Sequence, residues 1–174
     1  DAGLTRRRLR HADLATPVRG LRLVTTEPAS EAVDGVHRIA TESGMLRKEL
    51  LRRATAYASI APAHAFYVGA TAAVAWDLPL PIRVLRARDR ATTKSAAHRN
   101  DGMRSTPRRL DVGVFRPHRA SKAAGVHGRE LRESLTSVRS HAGLRLTSPA
   151  TTWAFLATEL TVDELVVLGD GIVR

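Results

Sequence analysis

Cysteine is absent from all 174 residues of the chain. Its absence excludes disulfides, thiolate zinc sites, iron–sulfur clusters and cysteine nucleophiles. Aromatic residues make up only 4% of the chain, which leaves little material for a base-stacking or carbohydrate-stacking surface. The Gly-x-Ser-x-Gly motif and phosphate-cradling glycine loops are missing, and no Glu-x-Lys strand accompanies Asp111. We therefore expect no catalytic site, no cofactor and no metal within these residues.

A long apolar run is also missing. Residues 54–76 carry no formal charge, but alanine is their commonest residue, and Pro62 and His64 interrupt them. Such a stretch is too weakly apolar for a spanning helix, so we expect two buried pieces of a soluble core. No apolar signal-peptide run follows Arg6–Arg8. The expected location is the cytoplasm, with no membrane partner.

Positive charge is what the chain has in excess. Lys and Arg number 28 against 17 Asp and Glu, giving a net charge of +11, and 25 of the cations are arginine. Residues 1–24 carry +4 and residues 83–119 carry +8, so the rest of the chain sums to −1. Arginine suits bidentate phosphate and guanine contacts. The arginine-to-lysine ratio has a compositional alternative, namely a GC-rich genome, but the concentration of charge in two stretches favours a polyanionic partner.

The two basic stretches supply the candidate nucleic-acid-binding residues. Flexible cations of this kind neutralise phosphates and release counterions, which gives sequence-independent affinity. A solvated loop of an arginine-rich proteome, or an arm that binds an acidic protein, are the alternatives. The candidates are Arg6, Arg7, Arg8, Arg10, Arg19, Arg22, Arg86, Arg88, Arg90, Lys94, Arg99, Arg104, Arg108 and Arg109.

The hydrophobic periodicity predicts a mixed chain of helices and strands. In the first half we expect a helix from Thr5 to Leu14, a strand at Val18–Val24, a loose connection over residues 25–44, and helices at Met45–Ser59 and Gly69–Trp76. In the second half we expect a hairpin of strands at Ile82–Arg88 and Leu110–Phe115 with a basic loop between them, a helix around Arg129–Val138, a strand at Leu144–Leu146, and helices beginning after Ser148 and after Thr161. The helix after Ser148 should run through Leu160.

The histidines and tryptophans fit structural roles better than chemical ones. His98, His118, His127 and His141 lack ligand spacing and are interpreted as surface residues. Trp76 and Trp153 lie on apolar predicted helices and are interpreted as core residues rather than base stackers.

Two segments resemble a known family. Residues 143–157, GLRLTSPATTWAFLA, resemble the AbiEi-type antitoxin segment in which a strand runs into Thr-Ser-Pro and a helix. Residues 67–81, YVGATAAVAWDLPLP, resemble that family's motif Ser-His-x-Thr-Ala-Ala followed by a Gly-Leu-Pro turn. Together with VDELVVLGD the resemblance covers most of residues 45–170. Val68 and Gly69 stand where the family has Ser-His, and Thr151 and Phe155 stand where it has Arg and Asp.

The resemblance implies a fold and a function. It predicts a mixed α+β fold: a truncated winged-helix segment at residues 1–24, a linker at 25–44, and an AbiEi-like domain at 45–174 whose helices pack on a small, largely antiparallel sheet. The implied function is a non-catalytic, DNA-binding regulatory module with duplex DNA, and a cognate toxin protein, as partners. Similar actinobacterial segments often precede a very-short-patch-repair-like endonuclease domain. The targeting domain of a larger endonuclease, and a module that binds an acidic protein, are the alternatives.

Overall fold

The structure is a computed structural model that describes residues 8, 14–18, 20–24, 35–86 and 108–174. Its strands are β1 (Leu14–Val18), β2 (Leu21–Val24), β3 (Phe66–Tyr67), β4 (Leu110–Phe115), β5 (Val126–Leu131), β6 (Val138–His141) and β7 (Leu144–Thr147). Its helices are α1 (Gly35–Ala58), α2 (Gly69–Ala75), α3 (Ile82–Leu85), α4 (Pro149–Leu156) and α5 (Val162–Val173), and a 3-10 turn lies at Glu133–Leu135. The predicted mixed α+β class is confirmed. No helix among these residues combines the length and the apolar character that a membrane crossing needs.

The central sheet has five strands in the order β5-β4-β3-β7-β6, and β1 and β2 form a separate antiparallel hairpin. The prediction of a largely antiparallel sheet is wrong. β4 pairs parallel to β5 and β3 pairs parallel to β7, whereas the β3–β4 and β6–β7 pairs are antiparallel. The sheet is mixed because a ten-residue connection carries the chain from β4 back to the start of β5.

One core cluster joins α1 to the sheet and the hairpin. Leu46, Leu50, Ala54 and Tyr57 of α1 recur every three or four residues and are buried, as the helical period requires. They share this cluster with apolar residues of the hairpin and of the strands, namely Val18, Leu21, Tyr67, Leu110, Val112, Val126, Leu144 and Leu146. The hydroxyl of Tyr67 donates to the Ala54 carbonyl oxygen at 2.6 Å. Burial of this hydroxyl raises the pKa of Tyr67.

A second cluster joins α2, α4 and α5. Ala70 and Ala73 of α2 pack with Leu156 of α4 and Leu168 of α5. The small side chains of α2 allow close approach, and all of Gly69–Val74 is buried. This arrangement places the amino end of α2 beside the start of β4, where the Val68 amide donates to the Asp111 carbonyl oxygen at 3.1 Å.

The amino-terminal predictions change in two ways. The single strand predicted at Val18–Val24 is instead the hairpin β1–β2, which reverses between Val18 and Leu21, where Gly20 has a φ of +88°. Most of the helix predicted at Thr5–Leu14 lies outside the described residues, and its last residue, Leu14, begins β1. The truncated winged-helix segment predicted at residues 1–24 therefore stays a prediction.

Three further elements differ from their predictions. Helix α1 begins at Gly35, ten residues before the predicted Met45. Ile82–Leu85 is a short helix rather than a strand, with Pro81 at its N-cap, so it forms no hairpin with β4. The predicted helix over Arg129–Val138 is replaced by the end of β5 and the 3-10 turn. In the two latter segments only two or three apolar residues carry the pattern, which does not separate a helix from a strand.

The carboxy-terminal helix starts are confirmed. The Ser148 side chain accepts from the Thr151 amide at 3.2 Å, with Pro149 in the first turn, although α4 ends at Leu156 rather than Leu160. Thr161 and Glu164 form a capping box at the start of α5. The prediction that Trp153 is a core residue is wrong. The residue is 40% exposed, and its indole NH donates to the Leu165 carbonyl oxygen at 2.8 Å. Trp76 is partly buried.

Candidate nucleic-acid interface

The predicted interface residues divide into two groups. Nine of them lie outside the described residues: Arg6, Arg7, Arg10, Arg19, Arg88, Arg90, Lys94, Arg99 and Arg104. The structure describes the other five, namely Arg8, Arg22, Arg86, Arg108 and Arg109.

Arg86 and Arg108 are both engaged by carboxylates. The guanidinium of Arg86 meets Glu42 of α1 through two hydrogen bonds, of 3.1 Å and 2.8 Å, and this pair raises the pKa of the exposed Arg86. Arg108 is only 12% exposed and binds Glu159 through two nitrogens at 2.7 Å and 2.9 Å. Its Nε also donates to Asp111 at 3.0 Å. Arg108 therefore stabilises the fold, with its guanidinium held between two carboxylates rather than exposed to a phosphate.

Arg22 and Arg109 are exposed and make no hydrogen bond or ion pair with the residues that the structure describes. Arg22 projects from β2 next to buried Leu21, and Arg109 directly precedes β4. Lys122, in the connection between β4 and β5, is also exposed and was not among the predicted residues. Lys122 lies outside the two basic stretches, so the sequence gives no reason to select it. Only its place in the fold identifies it as a candidate.

The fold joins the two basic stretches through Gly125. Its φ of +82° favours glycine, and any Cβ there would collide with the Pro17 carbonyl oxygen of the hairpin. The Gly125 carbonyl oxygen in turn accepts from the Leu110 amide at 2.9 Å. Gly125 thus touches the hairpin that carries Arg22 on one side and the strand that follows Arg109 on the other. We call Arg22, Arg109 and Lys122 the basic edge.

The described residues on either side of 87–107 lie close together. The Arg108 amide donates to the Leu85 carbonyl oxygen at 3.1 Å, which ties the end of α3 to the start of β4. The Arg108 carbonyl oxygen accepts from Arg53 of α1 at 3.1 Å. Arg53 is 5% exposed, and burial lowers the pKa of its guanidinium. In the sequence, residues 87–107 contain five cations and two anions.

A buried polar network lies beside the basic edge. The fully buried Asp111 directs one carboxylate oxygen to Arg108 and the other to the Nδ1 of His127, at 2.9 Å. The Asp111 amide donates to the Thr71 hydroxyl at 2.9 Å. Burial opposes the charge of Arg108, but the hydrogen bonds and charges of Glu159 and Asp111 outweigh this effect and raise the pKa of Arg108. Sequence reasoning noted Asp111 on its strand but missed this network, because its members are far apart along the chain.

His118, His127 and His141 are exposed, as predicted. His118 stacks on His64 with ring centroids 3.8 Å apart, and His141 stacks on Trp76 at 4.5 Å. His98 lies outside the described residues. Within the part of the chain that the structure describes, no three His, Asp or Glu side chains are grouped to hold a metal ion.

Two of the positions that depart from the AbiEi pattern have described neighbours, and one of them, Gly69, lies beside the Asp111 network. A Cβ at Gly69, which has a φ of +53°, would lie 3.6 Å from the Asp111 carboxylate. Thr151, on the later helix, accepts from the Ser148 hydroxyl at 2.9 Å.

Comparison of the chain with protein-family models, with curated proteins and with solved structures yields no match.

Proposed function

We propose that this chain is a non-catalytic, nucleic-acid-binding regulatory module that binds the phosphate backbone of duplex DNA. The observation that carries this proposal is the contact at Gly125, which places two basic stretches that are distant in sequence at one end of the sheet. Arg22, Arg109 and Lys122 are exposed there without a carboxylate partner among the described residues. Cations that are free of internal partners neutralise phosphates more readily than cations already in ion pairs.

The remaining charge distribution supports the same proposal. Residues 143–174, which contain α4 and α5, carry four acidic and two basic residues, whereas the basic edge and residues 87–107 carry most of the excess positive charge. A protein with a uniform surface charge would attract polyanions without orientation. Separated charge orients the molecule toward a polyanion. With few aromatic residues available for base stacking, we favour duplex DNA over single strands.

The test is fluorescence anisotropy of a labelled duplex of about 20 base pairs, titrated with the protein at several salt concentrations. We expect affinity to fall steeply as salt rises. The triple variant Arg22→Ala, Arg109→Ala, Lys122→Ala should reduce the slope of log K against log salt by about 2 to 3, since each phosphate contact contributes about 0.9.

A matched triple variant controls for net charge. Arg132, Arg139 and Arg174 are exposed and, among the described residues, have no ion-pair partner. Arg139 lies on β6, at the opposite edge of the sheet from β5. Changing all three to Ala removes the same charge but should leave the salt slope within about one unit of its original value. Equal losses in both triple variants, or no binding by the unmodified protein, would contradict the proposal.

A further inference from the structure

The orientation of His127 is set by Asp111. An ionised carboxylate only accepts hydrogen bonds, so the imidazole nitrogen that faces it, Nδ1, carries a hydrogen. No residue that the structure describes hydrogen-bonds the other ring nitrogen, Nε2, and the His127 side chain is 51% exposed. The imidazole therefore presents Nε2 on the surface while Nδ1 is held by Asp111.

Arg129 lies on the same face of the sheet. In the parallel register Asp111 is opposite His127 and Gly113 is opposite Arg129, so the two β5 side chains project side by side. The Arg129 guanidinium is 31% exposed and its closest carboxylate is Glu159, at the long distance of 3.6 Å. Glu159 already receives two shorter hydrogen bonds from Arg108. Arg129 therefore retains donor groups that can bind a ligand.

The charges around His127 are balanced until the imidazole is protonated. The facing groups are Asp111 of β4, Arg108 before it, Arg129 of β5 and Glu159 after α4, while α2 contributes only the uncharged Thr71 and Gly69. Two carboxylates thus oppose two guanidinium groups. A proton on His127 adds one positive charge at the surface end of the cluster.

We propose that His127 and Arg129 form a phosphate-binding site whose affinity rises when His127 is protonated. This site rests on the proposed function, because its biological ligand would be the phosphate backbone of DNA. His127 follows Gly125 by two residues, so it lies at the same end of β5 as the basic edge. A protonated Nε2 and the Arg129 guanidinium offer charge-assisted donors to phosphate oxygens.

The test compares DNA affinity at about pH 5.5 and about pH 8 at constant ionic strength. Asparagine at position 127 can donate to Asp111 from its amide nitrogen but does not titrate. We expect the unmodified protein to bind roughly threefold to tenfold more tightly at the lower pH, as one added charge-assisted contact implies. His127→Asn should lose most of this change. His141→Asn, at the opposite edge on β6, should retain it.

A second measurement does not depend on DNA. Inorganic phosphate, titrated into the protein at about pH 6, should shift the His127 ring resonances in NMR spectra and saturate. Arg129→Gln should abolish this shift. If His127→Asn does not fold, the Arg129→Gln variant tests the site in its place. Saturable phosphate binding without DNA binding would contradict the proposed function alone. Salt-dependent DNA binding whose pH response survives in both His127→Asn and Arg129→Gln would overturn the His127 site alone.

Discussion

The role of Arg108 in the structure differs from the role that its place in the sequence predicts. In the sequence it belongs to the most basic stretch of the chain and is indistinguishable from Arg109. In the fold it is 12% exposed and binds Asp111 and Glu159, whereas Arg109 is exposed. Its guanidinium supplies a counter-charge to both carboxylates, of which Asp111 is fully buried. Arg108 therefore stabilises the protein and is excluded from the proposed interface.

This role predicts that Asp111→Ala is strongly destabilising. The substitution leaves the Arg108 Nε and the His127 Nδ1 without their acceptor, and breaking a buried ion pair costs about 3 kcal/mol. Urea unfolding monitored by circular dichroism measures the free energy of unfolding. Asp170→Ala is the control: it removes an exposed carboxylate of α5 and should change the free energy of unfolding by less than about 0.5 kcal/mol. If the Asp111 variant were as stable as the unmodified protein, the network would have no structural role.

At the scale of elements, the docked hairpin β1–β2 depends on one glycine. Gly125 and Gly143 both have positive φ values, of +82° and +76°, but only Gly125 has the Pro17 carbonyl oxygen in the position of a Cβ. The two residues therefore share the backbone requirement and differ in tertiary contact. Substitutions at the two glycines therefore separate the free-energy cost of a left-handed backbone conformation from the free-energy cost of displacing the hairpin.

We predict that Gly125→Ala weakens both the hairpin packing and DNA binding. Gly143→Ala bears only the conformational cost, about 1 kcal/mol, whereas Gly125→Ala must also displace Pro17 and the adjacent Val18. Amide hydrogen exchange at Leu21 and Leu23 should accelerate only in Gly125→Ala. The same variant should reduce the salt slope of DNA binding, since Arg22 moves with the hairpin. Equal exchange rates in the two variants would show that the hairpin is not held through Gly125.

The start of α5 makes stability depend on pH. Arg83 of α3 forms an ion pair with Glu164, and this hydrogen bond, with that of the Thr161 amide, lowers the pKa of Glu164. A carboxylate whose pKa is depressed in the folded state adds stability above its unfolded pKa of about 4.3 and loses it as the pH falls further.

Glu164→Gln should therefore lower the melting temperature at pH 7, and this difference should shrink as the pH falls below the unfolded-state pKa and through the lowered pKa of folded Glu164. Thermal unfolding across this pH range gives the comparison. Glu133→Gln is the control, because Glu133 is exposed and makes no ion pair among the described residues. A melting difference for Glu164→Gln that stayed constant down to pH 3 would exclude the ion pair as its cause.

At the scale of the whole molecule, the net charge of +11 is not evenly spread. Arg22, Arg109 and Lys122 have no ion-pair partner among the described residues, whereas Arg83, Arg86 and Arg108 are held by Glu164, Glu42 and Glu159. Internal ion pairs remove those arginines from the set available to a polyanion. The proposed interface consequently depends on fewer residues than the charge count suggests.

The features that could be predicted from the sequence are those that depend on neighbours along the chain. Ser148 and Pro149 begin α4, and Thr161 and Glu164 begin α5, because a cap needs only residues within one helical turn. The apolar spacing in Met45–Ser59 predicted the second half of α1 for the same reason, and its Leu46, Leu50 and Ala54 are buried, although Ala58 of the same pattern is exposed. Strand β4 was likewise recognised from its alternation.

By itself, the sequence determined the charge excess, the lack of cysteine chemistry, the mixed α+β class and the caps of the last two helices. Only the tertiary structure decided the parallel pairing of β4 with β5, the separation of Arg108 from Arg109, and the meeting of Asp111, His127 and Arg129. The reason is physical. Strand pairing and burial depend on contacts between residues tens of positions apart, and local propensity carries no information about which distant partner a side chain meets.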